Sequence, residues 1–120
     1  MNISQLLERV ERHRPDINYS NSDYLRIINN LYDDIYTNIY MTHNDCPNRT
    51  QYLSKDSEID IPIRFSDLYY YYLLAQIDYE NADITRYSND MLNFNSLYEE
   101  YQRAYNREHL PTVKARMGGY

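Results

Sequence analysis

The chain has no tryptophan, one cysteine, two glycines and four prolines in 120 residues. A lone thiol, Cys46, excludes an intramolecular disulfide framework and fits a reducing compartment. So little turn punctuation favours a few long elements joined by few loops, which means helices. No run approaches the roughly 18 apolar residues that span a bilayer. The first ten residues lack the basic start and apolar stretch of a signal peptide. These absences predict one soluble, intracellular domain with no membrane partner and a modest core.

Chemical motifs are also missing. There is no G-x-x-x-x-G-K-[ST], G-x-G-x-x-G or G-x-S-x-G. His13, His43 and His109 sit in separate segments without H-x-x-x-H spacing. His43, Asp45 and Cys46 could be assembled into a metal site, but they read better as loop residues. Asp56, Glu58 and Asp60 lack a glycine-turned calcium loop and read as a solvated acidic edge. Asp33-Asp34 and Glu99-Glu100 are helical neighbours that point apart, as solvent-facing charge does. No spacing pairs a serine or Cys46 with a base. The expectation is a protein that is not an enzyme and takes no cofactor or metal.

What is present is tyrosine, 16 of them, with a mean hydropathy of -0.84. Ile84, Tyr87, Met91, Phe94, Tyr98, Tyr101 and Tyr105 recur at alternating spacings of three and four, a heptad-like seam on one helix face. A tyrosine seam packs through its rings while each hydroxyl seeks a polar partner, which suits a protein-protein surface. Charge is divided along the chain. Residues 1–15 carry +1, residues 103–120 carry +3, and the middle holds -10 of the net -6. An acidic body argues against wrapping nucleic acid, whereas basic ends can dock on acidic surfaces, including a neighbouring copy. Arginine outnumbers lysine ten to two and suits bidentate pairing. Codon bias in an AT-rich genome would equally explain the arginine preference, the tyrosines and the 13 asparagines.

The periodicity predicts an all-α fold, a four-helix bundle-like domain over residues 1–110 with an extended basic tail over 111–120. The first helix covers residues 5–13, with Ser4 as N-cap, Ile3, Leu6, Leu7 and Val10 as its stripe and Pro15 as its stop. The second covers 23–41, capped by Ser22, with Tyr24, Ile27, Ile28, Leu31, Ile35 and Ile39 buried. Tyr32, Tyr36 and Tyr40 make a second row beside that face. Residues 43–60 predict an exposed excursion, a loop or a small β-hairpin turning at Lys55-Asp56-Ser57. Ile59, Ile61 and Ile63 alternate as an edge strand would. The third helix opens at a Ser66 N-cap and runs to residue 81. It is apolar or tyrosine throughout Leu68 to Ala75, hence central. Its Tyr69-Tyr70-Tyr71-Tyr72 run reads as packing rather than as a stacking platform for bases, since no basic groove adjoins it. A tight break at Ala82, Asp83 and Ile84 folds the fourth helix back on the third.

The segment Arg86-Tyr87-Ser88-Asn89-Asp90-Met91-Leu92-Asn93-Phe94-Asn95-Ser96-Leu97-Tyr98, a pattern R-Y-x-N-x-M-x-x-F-N-x-x-Y, continues to Tyr105-Asn106-Arg107-Glu108-His109-Leu110-Pro111. It resembles the end of the head-tail connector, or head-completion adaptor, proteins of tailed bacteriophages. The Leu68 to Ala75 helix and the Gln5 to Val10 start are similar to that group as well. The resemblance implies a virion structural protein of the neck, made in the host cytoplasm, forming a ring of about twelve copies beneath the portal protein. The ring would extend the DNA channel, with DNA passing non-specifically, and would seat the tail or stopper protein. It also implies that Pro111, Thr112, Val113, Lys114, Ala115, Arg116, Met117, Gly118, Gly119 and Tyr120 form a portal-docking arm. Tyr32, Tyr36, Tyr40, Tyr98, Tyr101 and Tyr105, with Arg9, Arg12, Arg103 and Arg107, are the candidate subunit-interface residues, although the tyrosines could equally close each subunit's own core. The alternative is a small acidic regulator or inhibitor from a phage or mobile element, a possible DNA mimic binding one host protein.

Overall fold

The computed structural model describes residues 2–15, 19–49, 52–59 and 61–109. Among these residues there are four helices: α1 (Ile3–His13), α2 (Asn21–Asn38), α3 (Asp67–Glu80) and α4 (Ile84–Glu108). Short 3₁₀ turns at Tyr40–Thr42 and Ile63–Phe65 flank the long connection between α2 and α3. Among the described residues there are no strands, so the expected all-α class is what the chain adopts. No helix among them is long and apolar enough to cross a membrane.

Two helices start earlier than their serines suggested. Asn2, not Ser4, caps α1: its Oδ1 accepts from the Gln5 amide at 2.9 Å while Gln5 Oε1 accepts from the Asn2 amide at 3.0 Å. Ser20, not Ser22, caps α2 in the same reciprocal way with Asp23. In both, a side chain three residues on reaches back to the cap, and that pairing outweighs a lone hydroxyl nearer the apolar stripe. Ser66 makes no side-chain cap; the 3₁₀ turn at Ile63–Phe65 leads straight into α3. α2 also ends before residue 41, giving way to the Tyr40–Thr42 turn.

α3 is the hub and packs against α1, α2 and α4. Leu68, Tyr69, Leu73, Leu74, Ala75 and Ile77 are buried around its circumference, as an all-round apolar helix requires. The predicted stripes of α1 and α2 are buried against it, including Ile3, Leu6, Val10, Ile28, Leu31 and Ile35. α3 and α4 form the expected helical hairpin. Ala82 takes the left-handed conformation at φ 58°, and Asp83 caps α4 by accepting from the Arg86 amide at 3.2 Å. The α4 seam is covered only in part. Phe94 and Tyr101 of the seam are buried, with Ala104 beside them, whereas Ile84 is exposed.

Over its described residues the 43–60 excursion is neither a hairpin nor loosely attached. A turn brings the Ser57 amide to the Ser54 carbonyl at 3.0 Å, but no paired strands flank it among the described residues. Ile59 and Ile61 lean on the core, Pro62 turns the chain, and Ile63 opens a 3₁₀ turn with its side chain in solvent. The Asn29 amide clamps Leu53 from both sides, donating to its carbonyl at 3.1 Å and accepting from its amide at 2.8 Å. The first turn of α1 supplies the other fastening. The Ile3 and Ser4 amides donate to the Ser57 and Lys55 carbonyls at 3.0 and 3.1 Å. Helix-start donors that have no intrahelical partner are thereby satisfied by the loop.

Candidate functional site

The tyrosine rows of α2 and α4 converge where α4 ends. Tyr32, Tyr36 and Tyr40 follow one turn apart, tilted and then edge-on, with ring centroids 6.2 and 6.0 Å apart. Tyr40 meets Tyr105 at 5.0 Å and Tyr101 at 6.5 Å, and Tyr101 meets Phe65 at 5.2 Å. The Tyr40 and Tyr101 hydroxyls share a buried hydrogen bond of 2.7 Å. Each thus supplies the polar partner that a buried phenol requires.

His43 closes the cluster. It is 3% exposed, and its Nδ1 lies 2.8 Å from the Ile39 carbonyl. A carbonyl only accepts, so this contact places the proton on Nδ1. The His43 ring meets Tyr105 edge-on at 4.8 Å, and Tyr105 stacks on His109 at 4.0 Å. His109 Nδ1 in turn pairs with Asp45 Oδ2 at 2.6 Å, and this contact holds the Asp45 carboxyl below the usual carboxylate range.

Between these rings and the Ile63–Phe65 turn lies an open cleft of about 280 Å³. Tyr40, Phe65, Tyr101 and Tyr105 line it, and Arg64 and Glu108 pair across 3.6 Å beside it. An aromatic cleft rimmed by opposite charges can hold an apolar side chain of a partner. Cys46 Sγ meets the Tyr36 hydroxyl at 3.3 Å, and that contact pushes the phenol up to about 12. Asp45 is engaged by His109, and no group of three or more metal-binding side chains is assembled among the described residues.

The candidate interface residues fall into two sets. Tyr40 and Tyr101 are mostly buried by their own chain and show only the edges that line the cleft. Arg9 is also committed at home: its guanidinium lies 3.8 Å above the Tyr70 ring and 2.6 Å from Asp67. Tyr32, Tyr36, Tyr98 and Tyr105 are half-buried, and Arg12, Arg103 and Arg107 are exposed. The expected arm, residues 111–120, lies outside the described residues.

One constellation had no forewarning. Arg14, directly after α1, grips Asp78 of α3 with Nε and Nη2, each 2.8 Å from a carboxylate oxygen. Asp90 of α4 is buried beside them, its Oδ2 3.8 Å from Arg14 Nη2. The only signal was positional. Asp78 falls one turn after Leu74 and Asp90 one turn before Phe94, on faces that pattern alone assigns to the core.

No protein-family model, curated protein or solved structure matches the chain.

Proposed function

We propose that this chain is a structural adaptor, a head-tail connector subunit that assembles as a ring of identical copies on a portal and carries the channel toward the tail. The observation behind this reading is the way α4 separates its faces and its charge. One face packs through Phe94, Tyr101 and Ala104, while the other is exposed along 25 residues and reaches Arg103 and Arg107 at its basic end. That end leads into residues 110–120, with Lys114 and Arg116, while the body of the chain is acidic. A basic end and an acidic body on the same subunit suit a head-to-tail contact that closes by rotation. An acidic body also suits a channel through which phosphate slides without sticking. The segment that resembles the connector proteins lies mostly on α4, which makes this helix the element of interest.

The test is co-assembly of the full chain, and of a version lacking residues 112–120, with a tailed-bacteriophage portal protein, read by native mass spectrometry. The expected result is a multi-copy ring on the portal for the full chain. The truncated chain should show no binding and unchanged helical circular dichroism. Equal binding by the truncated chain would overturn the docking arm. A one-to-one complex with a host nucleic-acid enzyme, and none with the portal, would favour the acidic regulator instead.

A further inference from the structure

Asp90 is a buried acid that nothing in the adaptor reading uses. It is 8% exposed on α4, and its Oδ2 has no hydrogen-bond partner among the described residues. Asp78 faces it from α3, within hydrogen-bond reach, with both oxygens already held by Arg14. The charged groups around the pair are Arg14 after α1, Asp78 on α3, and Arg86 on α4 itself. His13, Asp83 and Arg86 line the adjoining cleft of about 210 Å³. Arg14 points its two-pronged contact at Asp78 and stays 3.8 Å from Asp90, too far for a hydrogen bond. One guanidinium therefore serves two carboxyl groups and fully neutralises only one. Two adjacent buried carboxylates do not both ionise cheaply, and a proton between them supplies the missing donor.

We propose that Asp90 is a proton-operated latch at the α1–α3–α4 junction. Protonated, it donates to Asp78 and ties the first turns of α4 to the rest of the bundle. Ionised, it repels Asp78 and loosens that end, the proton leaving to water past Asp78, which lines the cleft. The same surroundings bias the two carboxyl groups in opposite directions. Burial first, then the hydrogen bond and charge of Asp78, push the Asp90 carboxyl up to about 7. Burial raises Asp78 too, but the hydrogen bonds from Arg14 and Asp90 outweigh it and leave that carboxyl low. Because the folded value for Asp90 lies above its ordinary 3.8, the latch is fully engaged in acid and is lost as pH rises through about 7.

The test uses the full chain with ¹³C-labelled aspartate, following side-chain carboxyl shifts and amide protection factors from pH 5.5 to 8.5. The Asp90 carboxyl should titrate near 7. Protection over residues 84–92 should fall at least threefold more between pH 6 and 8 than in the middle of α2. Asp90→Asn, which keeps a neutral donor, should make residues 84–92 insensitive to pH over that range. An Asp90 carboxyl titrating below 5, or an Asp90→Asn variant with the wild-type pH response, would overturn the latch. The carboxyl titration is decisive even if the variant fails to fold.

Discussion

Tyr40 and Tyr101 come from different helical segments, 61 residues apart, and meet hydroxyl to hydroxyl at 2.7 Å inside the core. The contact joins the end of the α2 segment to the last turns of α4 and forms one wall of the aromatic cleft. A buried neutral hydrogen bond of this kind contributes on the order of 1 kcal/mol. Tyr101→Phe and Tyr40→Phe should each lower stability by about that amount in urea unfolding. The double substitution should cost less than the two singles added together, since both remove the same bond. Strict additivity would show that the pair is not coupled.

Asp78→Asn should be the most damaging single change at the α1–α3–α4 junction. Breaking a buried pair by removing one partner costs roughly 3–5 kcal/mol, and the partial exposure of Arg14 argues for the lower end. Its pH signature is opposite to that of Asp90. The Asp78 carboxyl is held low, so its contribution is present above the ordinary carboxylate range and is lost as pH falls through the folded value. Thermal melts of Asp78→Asn and wild type should converge in strong acid. A gap that stays constant down to pH 2 would contradict this.

Asn29→Ala should free the 52–58 stretch by removing both bonds to Leu53. A loss of about 1–3 kcal/mol is expected, because two buried backbone groups lose their partner. Limited proteolysis should then cut faster near Lys55, and resistance equal to wild type would count against the clamp.

Ala82→Gly should stabilise the α3–α4 hairpin. Left-handed backbone costs a residue with a Cβ roughly 1–2 kcal/mol, which glycine avoids while gaining freedom in the unfolded chain. A net gain of about 0.5 kcal/mol is the expected reading from denaturant midpoints. A lower midpoint would refute it.

The helices were legible because their apolar periods are long and consistent. Tyr24, Ile27, Ile28, Leu31 and Ile35 bury on α2 just as their spacing demands. The caps were misread because Ser4 and Ser22 lie next to the stripes, while the reciprocal partners Asn2–Gln5 and Ser20–Asp23 set the true starts. The alternation of Ile59, Ile61 and Ile63 looked like a strand, but a strand needs a partner, and the loop's backbone groups are taken by Asn29 and the start of α1. Within the candidate site, the α2 and α4 tyrosines were visible as rows. Their meeting with His43 and His109 was not, because it depends on how the chain turns after α2. Arg14, Asp78 and Asp90 are 64 and 12 residues apart in turn, and no local pattern links them.

The attachment of α1 has a bearing on synthesis. Its stripe of Ile3, Leu6, Leu7 and Val10 faces α3, and its first turn is hydrogen-bonded to Lys55 and Ser57. In a growing chain α1 is therefore made before the helix that buries it, and cannot be seated until α3 has followed it. In that interval the greasy side of the helix has no home, and the nascent polypeptide is most open to capture by a chaperone or by a stray neighbour.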